Sequence, residues 1–124
     1  MKILVVHRQK MVVDQVKSIL QDNSPVVIYC DSGLDGLLTS RIDSFELIIC
    51  GIDLPVVTGF EVVRSIRTIS INKEVPVILL ADSHDEKTTE HARALDISTI
   101  MATDELSEKL PGLVAAYNNA HALH

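Results

Sequence analysis

The sequence predicts a doubly wound α/β domain, in which a five-stranded parallel sheet carries five helices on its two faces. Five short apolar runs recur along the chain, at residues 2–7, 25–30, 46–52, 75–81 and 97–102. Most of these runs are continuously apolar, as in strands that are buried on both faces of a parallel sheet. Helical patterns separate them, and parallel neighbours require such crossovers. The length of 124 residues fits one domain, which we assign to residues 1–124.

Helical periodicity is clearest after the first and third apolar runs. Two stripes recur every three to four residues, formed by Val12, Val16, Ile19 and Leu20 and by Val62, Val63, Ile66 and Ile69. Residues 85–95 form a weakly amphipathic pattern with Ala92 and Leu95 on one side. Pro111 and Gly112 interrupt the last helical pattern, and proline is disfavoured in a helix interior. We therefore expect a short turn near 104–109 and a last helix that begins at about Pro111.

The composition excludes several classes of protein. A net charge of −6 opposes sequence-independent binding of nucleic acid, which needs a basic face. No apolar run approaches the ~20 residues that span a bilayer, and MKILVV passes into HRQK without a signal-peptide core. Cys30 and Cys50 lie within apolar runs without a metal or redox spacing, which favours buried thiols in a reducing compartment. We expect a cytoplasmic domain that contacts neither membrane nor nucleic acid directly.

The segment around the third strand carries a family likeness. The stretch FELIICGIDLPVVTGFEVVRSIR, with Pro55, Gly59, Phe60, Glu61 and Arg67, resembles the signature of response-regulator receiver domains. KILVV at the start and EVPVILLAD at the fourth strand fit the same family, so the resemblance covers essentially the whole chain. It implies a flavodoxin-like sheet of order 2-1-3-4-5, with functional residues at the carboxyl ends of the strands.

In the family that this chain resembles, an aspartate at the end of the third strand accepts a phosphoryl group. An acidic pair after the first strand holds Mg²⁺, while a Thr or Ser after strand four and a Lys after strand five contact the phosphoryl oxygens. An aromatic residue three positions before that Lys acts as a switch. The acidic pair corresponds here to His7 and Arg8, and the acceptor, hydroxyl, switch and lysine positions correspond to Gly51, Ala81, Thr99 and Ala102.

Each of these six positions departs from the family pattern, so we expect no phosphorylation, no Mg²⁺, no other metal and no cofactor. Gly51 offers no nucleophile. Arg8 would repel Mg²⁺ by roughly 8 kcal/mol, for a separation of about 4 Å and an effective dielectric near ~20. A two-residue shift of the alignment would bring Asp53 to the acceptor position, but it would displace Pro55 and Gly59 from theirs.

The residues around the altered pocket are compatible with three interpretations. Arg8 could pair with Asp53 or Asp82, either as a fixed ion pair that holds one signalling state or as a surface bridge worth at most about 1 kcal/mol. His7 and the same two carboxylates could ligate a transition metal, although Arg8 opposes this. His7 and Arg8 could instead bind a small anion or nucleotide, although HRQKM lacks a glycine-rich phosphate loop.

The expected function is that of a phosphorylation-independent signalling module, not an enzyme, that acts through protein–protein interaction or dimerisation. The resemblance implies that helix four, strand five and helix five form the surface for a partner protein or a second copy. That surface would include Arg93, Leu95, Leu106 and Leu113, unless these leucines pack against the sheet. The expected setting is the N-terminal regulatory part of a two-component or transcriptional regulator.

Overall fold

The computed structural model describes the backbone of residues 1–83, 85–97 and 99–122 and, within these ranges, the side chains up to residue 118. Its strands form one sheet of order β2-β1-β3-β4-β5, which confirms the predicted fold and strand order. Every pairing is parallel, with Ile3 of the inner strand β1 opposite Val27 on one side and Leu47 on the other. The strands are β1 (Lys2–Val6), β2 (Val26–Cys30), β3 (Leu47–Gly51), β4 (Val77–Leu80) and β5 (Thr99–Met101).

Five α-helices lie in the described part of the chain. Three of them begin at a side-chain cap, because Ser32, Thr58 and Asp85 accept hydrogen bonds from backbone N–H groups of the first turn. None of the described helices is long and apolar enough to cross a membrane. The helices are α1 (Met11–Ile19), α2 (Gly33–Ile42), α3 (Gly59–Ile69), α4 (Glu86–Ala94) and α5 (Leu106–Ala122).

The three inner strands β1, β3 and β4 are buried on both faces, which explains why they are continuously apolar. Ile3 and Val5 of β1 point into a cluster with α1 and α5, while Leu4 and Val6 point into a second cluster with α3 and α4. All four side chains are completely buried. Alternate residues of a strand face opposite sides of a sheet, so an apolar residue is needed at every position.

The last helix differs from its prediction. A 3₁₀ turn over Thr103–Glu105 leads directly into α5 at Leu106, and Pro111 lies inside the helix. Leu106, Leu110 and Val114 follow one another at four-residue intervals on the buried face. An interior proline costs about 3 kcal/mol, whereas burial of each of these side chains contributes roughly 1.5–3 kcal/mol. The stabilisation from burying these three side chains therefore exceeds the cost of a proline inside the helix.

A buried asparagine joins the two loops that precede β3 and β4. Asn72 Oδ1 accepts a hydrogen bond from the backbone N–H of Phe45 at 2.8 Å. Its Nδ2 donates to the carbonyl oxygens of Ser40 and Asp43 at 2.7 and 2.8 Å. The Ser70 hydroxyl donates to the same Ser40 carbonyl. These bonds satisfy backbone groups at the end of α2 and fix it against the loop after α3.

Candidate functional site

The carboxyl ends of β1, β3 and β4 surround an open cavity of about 330 Å³. It is lined by five of the residues that the sequence singled out: His7, Arg8, Asp53, Ala81 and Asp82. Ala102 follows β5 and Thr99 lies within it, both half-buried, but neither lines the cavity, whereas the neighbouring Thr103 does. The predicted strand order therefore gave the correct position of the cavity. Predicted site residues that follow β1, β3 and β4 line it, whereas those of β5 do not.

The imidazole of His7 is held in a fixed orientation at the end of β1. The backbone N–H of His7 donates to the Cys30 carbonyl at 3.1 Å, and its carbonyl accepts from the Tyr29 hydroxyl at 2.9 Å. The ring Nδ1 accepts a hydrogen bond from the backbone N–H of Gln9 at 3.0 Å, which assigns the proton of the neutral ring to Nε2. Burial lowers the pKa of His7 below its ordinary value of 6.5. The ring is therefore neutral near pH ~7.

This ring lies against Gly51, the last residue of β3. A β-carbon on Gly51 would come 2.9 Å from Cδ2 of His7, a distance at which the histidine has to move. Gly51 does not have a positive φ, so its backbone conformation would accept any residue. Space, rather than backbone freedom, therefore makes glycine fit here. The imidazole occupies the region into which a side chain at position 51 would extend.

Arg8 pairs with Asp53 across the rim of the cavity. The Arg8 Nη1 to Asp53 Oδ2 distance is 3.3 Å, and the two side chains are 59% and 89% exposed. An exposed pair of this kind contributes at most about 1 kcal/mol. Asp82 also lines the cavity, near His7. The geometry thus corresponds to the surface-bridge interpretation, with Asp53 as the partner.

The cavity does not assemble a metal-ligand set within the described residues. No group of three His, Cys, Asp or Glu side chains comes close enough to hold an ion in that part of the chain. His7, Asp53 and Asp82 share the cavity without forming such a group. Cys30 and Cys50 are both buried free thiols, and burial raises the pKa of Cys50 to about 12.

The residues of the predicted pairing surface differ in their exposure to solvent. Arg93 is exposed and Leu95 and Leu113 are half-buried, whereas Leu106 is 1% exposed and packs in the core. Its side chain is therefore not available to a partner. The only residue that α4 buries is Ala92. The outer side of α4 carries the exposed charges of Glu86, Lys87, Glu90 and Arg93.

Arg67 has a role that the sequence did not reveal. Its guanidinium donates to the carbonyl oxygens of Leu95 and Asp96, at 2.9 and 2.8 Å, after the end of α4. It also donates to those of Lys73 and Val75, at 3.0 and 2.7 Å, in the loop before β4. Burial lowers the pKa of Arg67. This side chain binds α3, the loop before β4 and the end of α4 together.

The chain belongs to the family of response regulator receiver domains, whose family model matches residues 3–111. Over 80 residues it is 36% identical to the transcriptional regulatory protein CusR of Escherichia coli K12, which covers 64% of this chain and 34% of CusR. It is 30% identical over 129 residues to the transcriptional regulatory protein HprR of the same strain, which covers 100% of this chain and 55% of HprR. The chain thus spans a third to about half of these relatives.

Solved structures agree with the fold. The chemotaxis protein CheY4 of Vibrio cholerae superimposes with a TM-score of 0.82 at 24% identity, covering 94% of this chain and 97% of CheY4. The receiver domain of a sensor histidine kinase from Pseudomonas aeruginosa gives a TM-score of 0.79 at 18% identity, covering 94% of this chain and 95% of that domain. That structure has a magnesium ion coordinated in its active-site cleft. At these identities, the likeness establishes the fold alone.

Proposed function

We propose that this receiver domain works without phosphorylation, as a signalling module that acts by binding proteins and not as an enzyme. The observation that carries the proposal is the packing of His7 against Gly51. The family places its phosphoacceptor at the end of the third strand, and this chain has a glycine there. A neighbouring imidazole fills the space above it, so neither the nucleophile nor the room for it is present.

The other positions support the same proposal. Ala81 and Ala102 replace the hydroxyl and the ammonium group that would contact phosphoryl oxygens. The end of β1 supplies an imidazole and a guanidinium where the family has carboxylates, and Mg²⁺ prefers oxygen ligands. The residues present do not fit Mg²⁺. We therefore propose that regulation comes from partner binding and not from a metal-dependent transfer.

We further propose that a partner protein binds the surface formed by α4, β5 and α5. The charged outer side of α4, with Arg93, offers polar contacts, and the half-buried Leu95 and Leu113 offer apolar ones. CusR and HprR are both transcriptional regulatory proteins, and the chain matches only part of each. A cytoplasmic regulator in which this domain is the N-terminal regulatory part is the setting that we propose.

Binding of a small anion or nucleotide is less well supported. Arg8 is already paired with Asp53, and Asp82 adds a second carboxylate to the same cavity. His7 is neutral near pH ~7 because burial lowers its pKa. The electrostatic balance of the cavity thus opposes an anion.

The experiment that tests the proposal is incubation with acetyl phosphate and Mg²⁺, followed by intact mass spectrometry. The wild-type protein is expected to keep its mass. A phosphoryl adduct that is lost on acid or hydroxylamine treatment would contradict the proposal. Asp53→Asn is the matched variant, because loss of such an adduct in it would make Asp53 the acceptor.

A further inference from the structure

Strand β2 forms one edge of the sheet, and one side of its backbone is open. In the sheet it pairs with β1 on its other side. Residues of a strand direct their backbone groups alternately to one side and the other, and Val26 bonds towards β1, since its N–H donates to the Met1 carbonyl. The N–H and C=O groups of Val27 and Tyr29 therefore point away from the sheet. No hydrogen bond joins these groups to another group in the described part of the chain.

β2 carries none of the features that usually protect an exposed edge. Edge strands are commonly kept from pairing by charged side chains, by proline, by bulges or by being very short. The sequence of β2, VVIYC, has no charge and no proline, and its pairing with β1 runs without a bulge over all five residues. The opposite edge strand, β5, has three residues. The open edge of β2 is therefore able to pair with a further strand.

We infer that the β2 edge pairs with the β2 edge of a second copy of the chain, in an antiparallel arrangement whose two-fold axis lies at Ile28. Val27 then lies opposite Tyr29 of the second copy, and the same pair occurs again because the interface is isologous. Each pair exchanges two hydrogen bonds, so four bonds join the copies and use all the open groups of Val27 and Tyr29. The inference goes beyond the proposed function, which concerns the α4 surface and the loss of phosphorylation, and it does not depend on it.

Backbone geometry selects this register. A shift by one residue would place the open groups of Val27 opposite a residue whose own groups are bonded to β1. A shift by two residues in one direction would bring Pro25, which has no N–H, opposite Tyr29. The same shift in the other direction would bring Asp31, beyond the end of β2, opposite Val27. The axis at Ile28 is thus the one that pairs both open residues within the strand.

The side chains of the two copies are complementary in this register. Val26 is 55% exposed and lies opposite Cys30 of the second copy. Cys30 lines an open groove of about 470 Å³ between β2 and α2, and Leu38 and Ile42 are further apolar walls of this groove. Because Val26 and Cys30 share one face of the strand, the exposed valine of each copy enters the groove of the other. A strand of an unrelated protein could use the backbone groups, whereas a second copy also brings this valine to each groove.

The opposite face of the paired strands is complementary as well. There the half-buried Val27 lies beside Tyr29 of the second copy, and a β-branched residue beside an aromatic one stabilises an antiparallel pair. Like charges do not meet across the pair, since β2 itself is uncharged. The Asp31 residues of the two copies lie six positions apart along the strands, which corresponds to roughly 20 Å.

The length of the strand sets the strength of this association. The five residues of β2 extend over about 17 Å, which is short for an interface of the stable class, with its ~1,200 Å² or more of buried surface. We therefore expect reversible dimerisation with a dissociation constant on the order of 0.1 mM. Sedimentation equilibrium of the whole chain, up to a concentration of about 1 mM, measures it.

Disulfide trapping at the two-fold axis provides the decisive test. Opposite residues of a non-hydrogen-bonded antiparallel pair have Cα atoms about 4.5 Å apart, a distance that a disulfide spans. In a Cys30→Ser background, Ile28→Cys should therefore form a disulfide-linked dimer in a glutathione redox buffer. Val26→Cys in the same background should not, because the two copies of residue 26 lie about 14 Å apart. With Cys30 restored, Val26→Cys should cross-link, since Cys30 of the second copy lies opposite it. Cys50 is completely buried and stays in all variants.

Variants of the edge complete the experiment. Proline is tolerated at an edge residue whose N–H faces solvent, so Val27→Pro should fold. It should dimerise at least about tenfold more weakly, because two of the four bonds are lost. Val26→Lys should also weaken dimerisation, since it places a charge in the apolar groove. Ile71→Lys is the matched control, at a 65% exposed residue in the loop before β4, and should leave dimerisation unchanged. Circular dichroism confirms that each variant is folded.

Three results would overturn the inference. They are a wild-type protein that stays monomeric at about 1 mM, cross-linking of Val26→Cys as fast as Ile28→Cys in the Cys30→Ser background, and dimerisation that survives both Val27→Pro and Val26→Lys. Dissociation by Arg93→Glu, without an effect of Val26→Lys, would assign self-association to the α4 surface instead. None of these results bears on the acetyl phosphate experiment.

Discussion

Restoring an aspartate at position 51 alone is expected not to restore phosphorylation. In the structure, the new β-carbon would lie 2.9 Å from Cδ2 of His7, so the imidazole must rotate before the carboxylate can be accommodated. Arg8 lines the rim of the cavity beside His7, and if its guanidinium turned from Asp53 to the new carboxylate, the resulting pair would lower the nucleophilicity of that carboxylate. The substitution thus supplies a carboxylate whose surroundings make it a poor nucleophile towards a phosphoryl group.

The magnitudes separate the effect on stability from the effect on reactivity. Rotation of the His7 side chain away from its preferred rotamer costs roughly 0.5–1.5 kcal/mol. A salt bridge with the exposed Arg8 stabilises the folded state by at most about 1 kcal/mol. These two contributions alone change the free energy of unfolding by no more than about 1.5 kcal/mol, and a larger loss in Gly51→Asp would measure the desolvation of a carboxylate at this buried position. Ala81 and Ala102 leave two stabilising contacts missing, and each such contact is worth ~10²–10³ in rate. Together they reduce the rate of transfer by about 10⁴-fold or more.

The assay is intact mass spectrometry after incubation with acetyl phosphate and Mg²⁺. Gly51→Asp is compared with a variant that adds His7→Asp, Arg8→Asp, Ala81→Thr and Ala102→Lys. Gly51→Ala is the control for stability, because it introduces the β-carbon without a charge. Ready phosphorylation of the single variant, at a rate close to that of the combined one, would refute the roles assigned to Arg8 and the missing contacts.

Four further predictions follow from the same structure. Millimolar Mg²⁺ should cause no saturable amide shifts at residues 7–8, 51–53 and 81–83 in NMR titrations. Burial lowers the pKa of His7 in the folded protein, so the unfolded chain binds more protons at mildly acidic pH. The contribution of His7 to the free energy of unfolding is therefore complete above pH 6.5, and it is lost as the pH falls through the pKa of the folded protein. The His7 ring should titrate below 6.5 by NMR, and His7→Gln should flatten this part of the pH–stability curve. Asn72→Ala should cost about 2–4 kcal/mol in urea unfolding, because it leaves buried backbone groups unpaired. Asp53→Asn should change stability by less than about 1 kcal/mol, and a larger loss would indicate a structural ion pair.

The sequence predicted those parts of the fold that depend on burial alone. The continuous apolar runs at β1, β3 and β4 identify strands that are covered on both sides, and the strand order follows from family likeness. The start of α5 was predicted wrongly because a local rule about Pro111 was given more weight than the stripe of Leu106, Leu110 and Val114. The burial of this stripe in the folded protein determines where α5 begins, and rules about local sequence take no account of such burial.

The candidate site was predictable in position but not in arrangement. Residues at the carboxyl ends of parallel strands share one edge, so His7, Arg8 and Ala81 could be placed together from the sequence. The packing of the His7 imidazole on Gly51 could not be predicted from the sequence, because it depends on the hydrogen bond that the backbone N–H of Gln9 donates to Nδ1. The role of Asn72 was likewise hidden, because a polar residue in a loop gives no periodic signal.

The bonds of Arg67 have a mechanical consequence for α4. Its guanidinium fixes the carbonyls of Leu95 and Asp96, and His91 stacks on Phe60 with ring centroids 4.0 Å apart. Both contacts lie towards the end of the helix, whereas the first turn, Glu86 to Thr89, buries no side chain completely. The carboxyl end of α4 is therefore held to α3 by more contacts than the first turn, and we expect any displacement of this helix to be larger at its first turn.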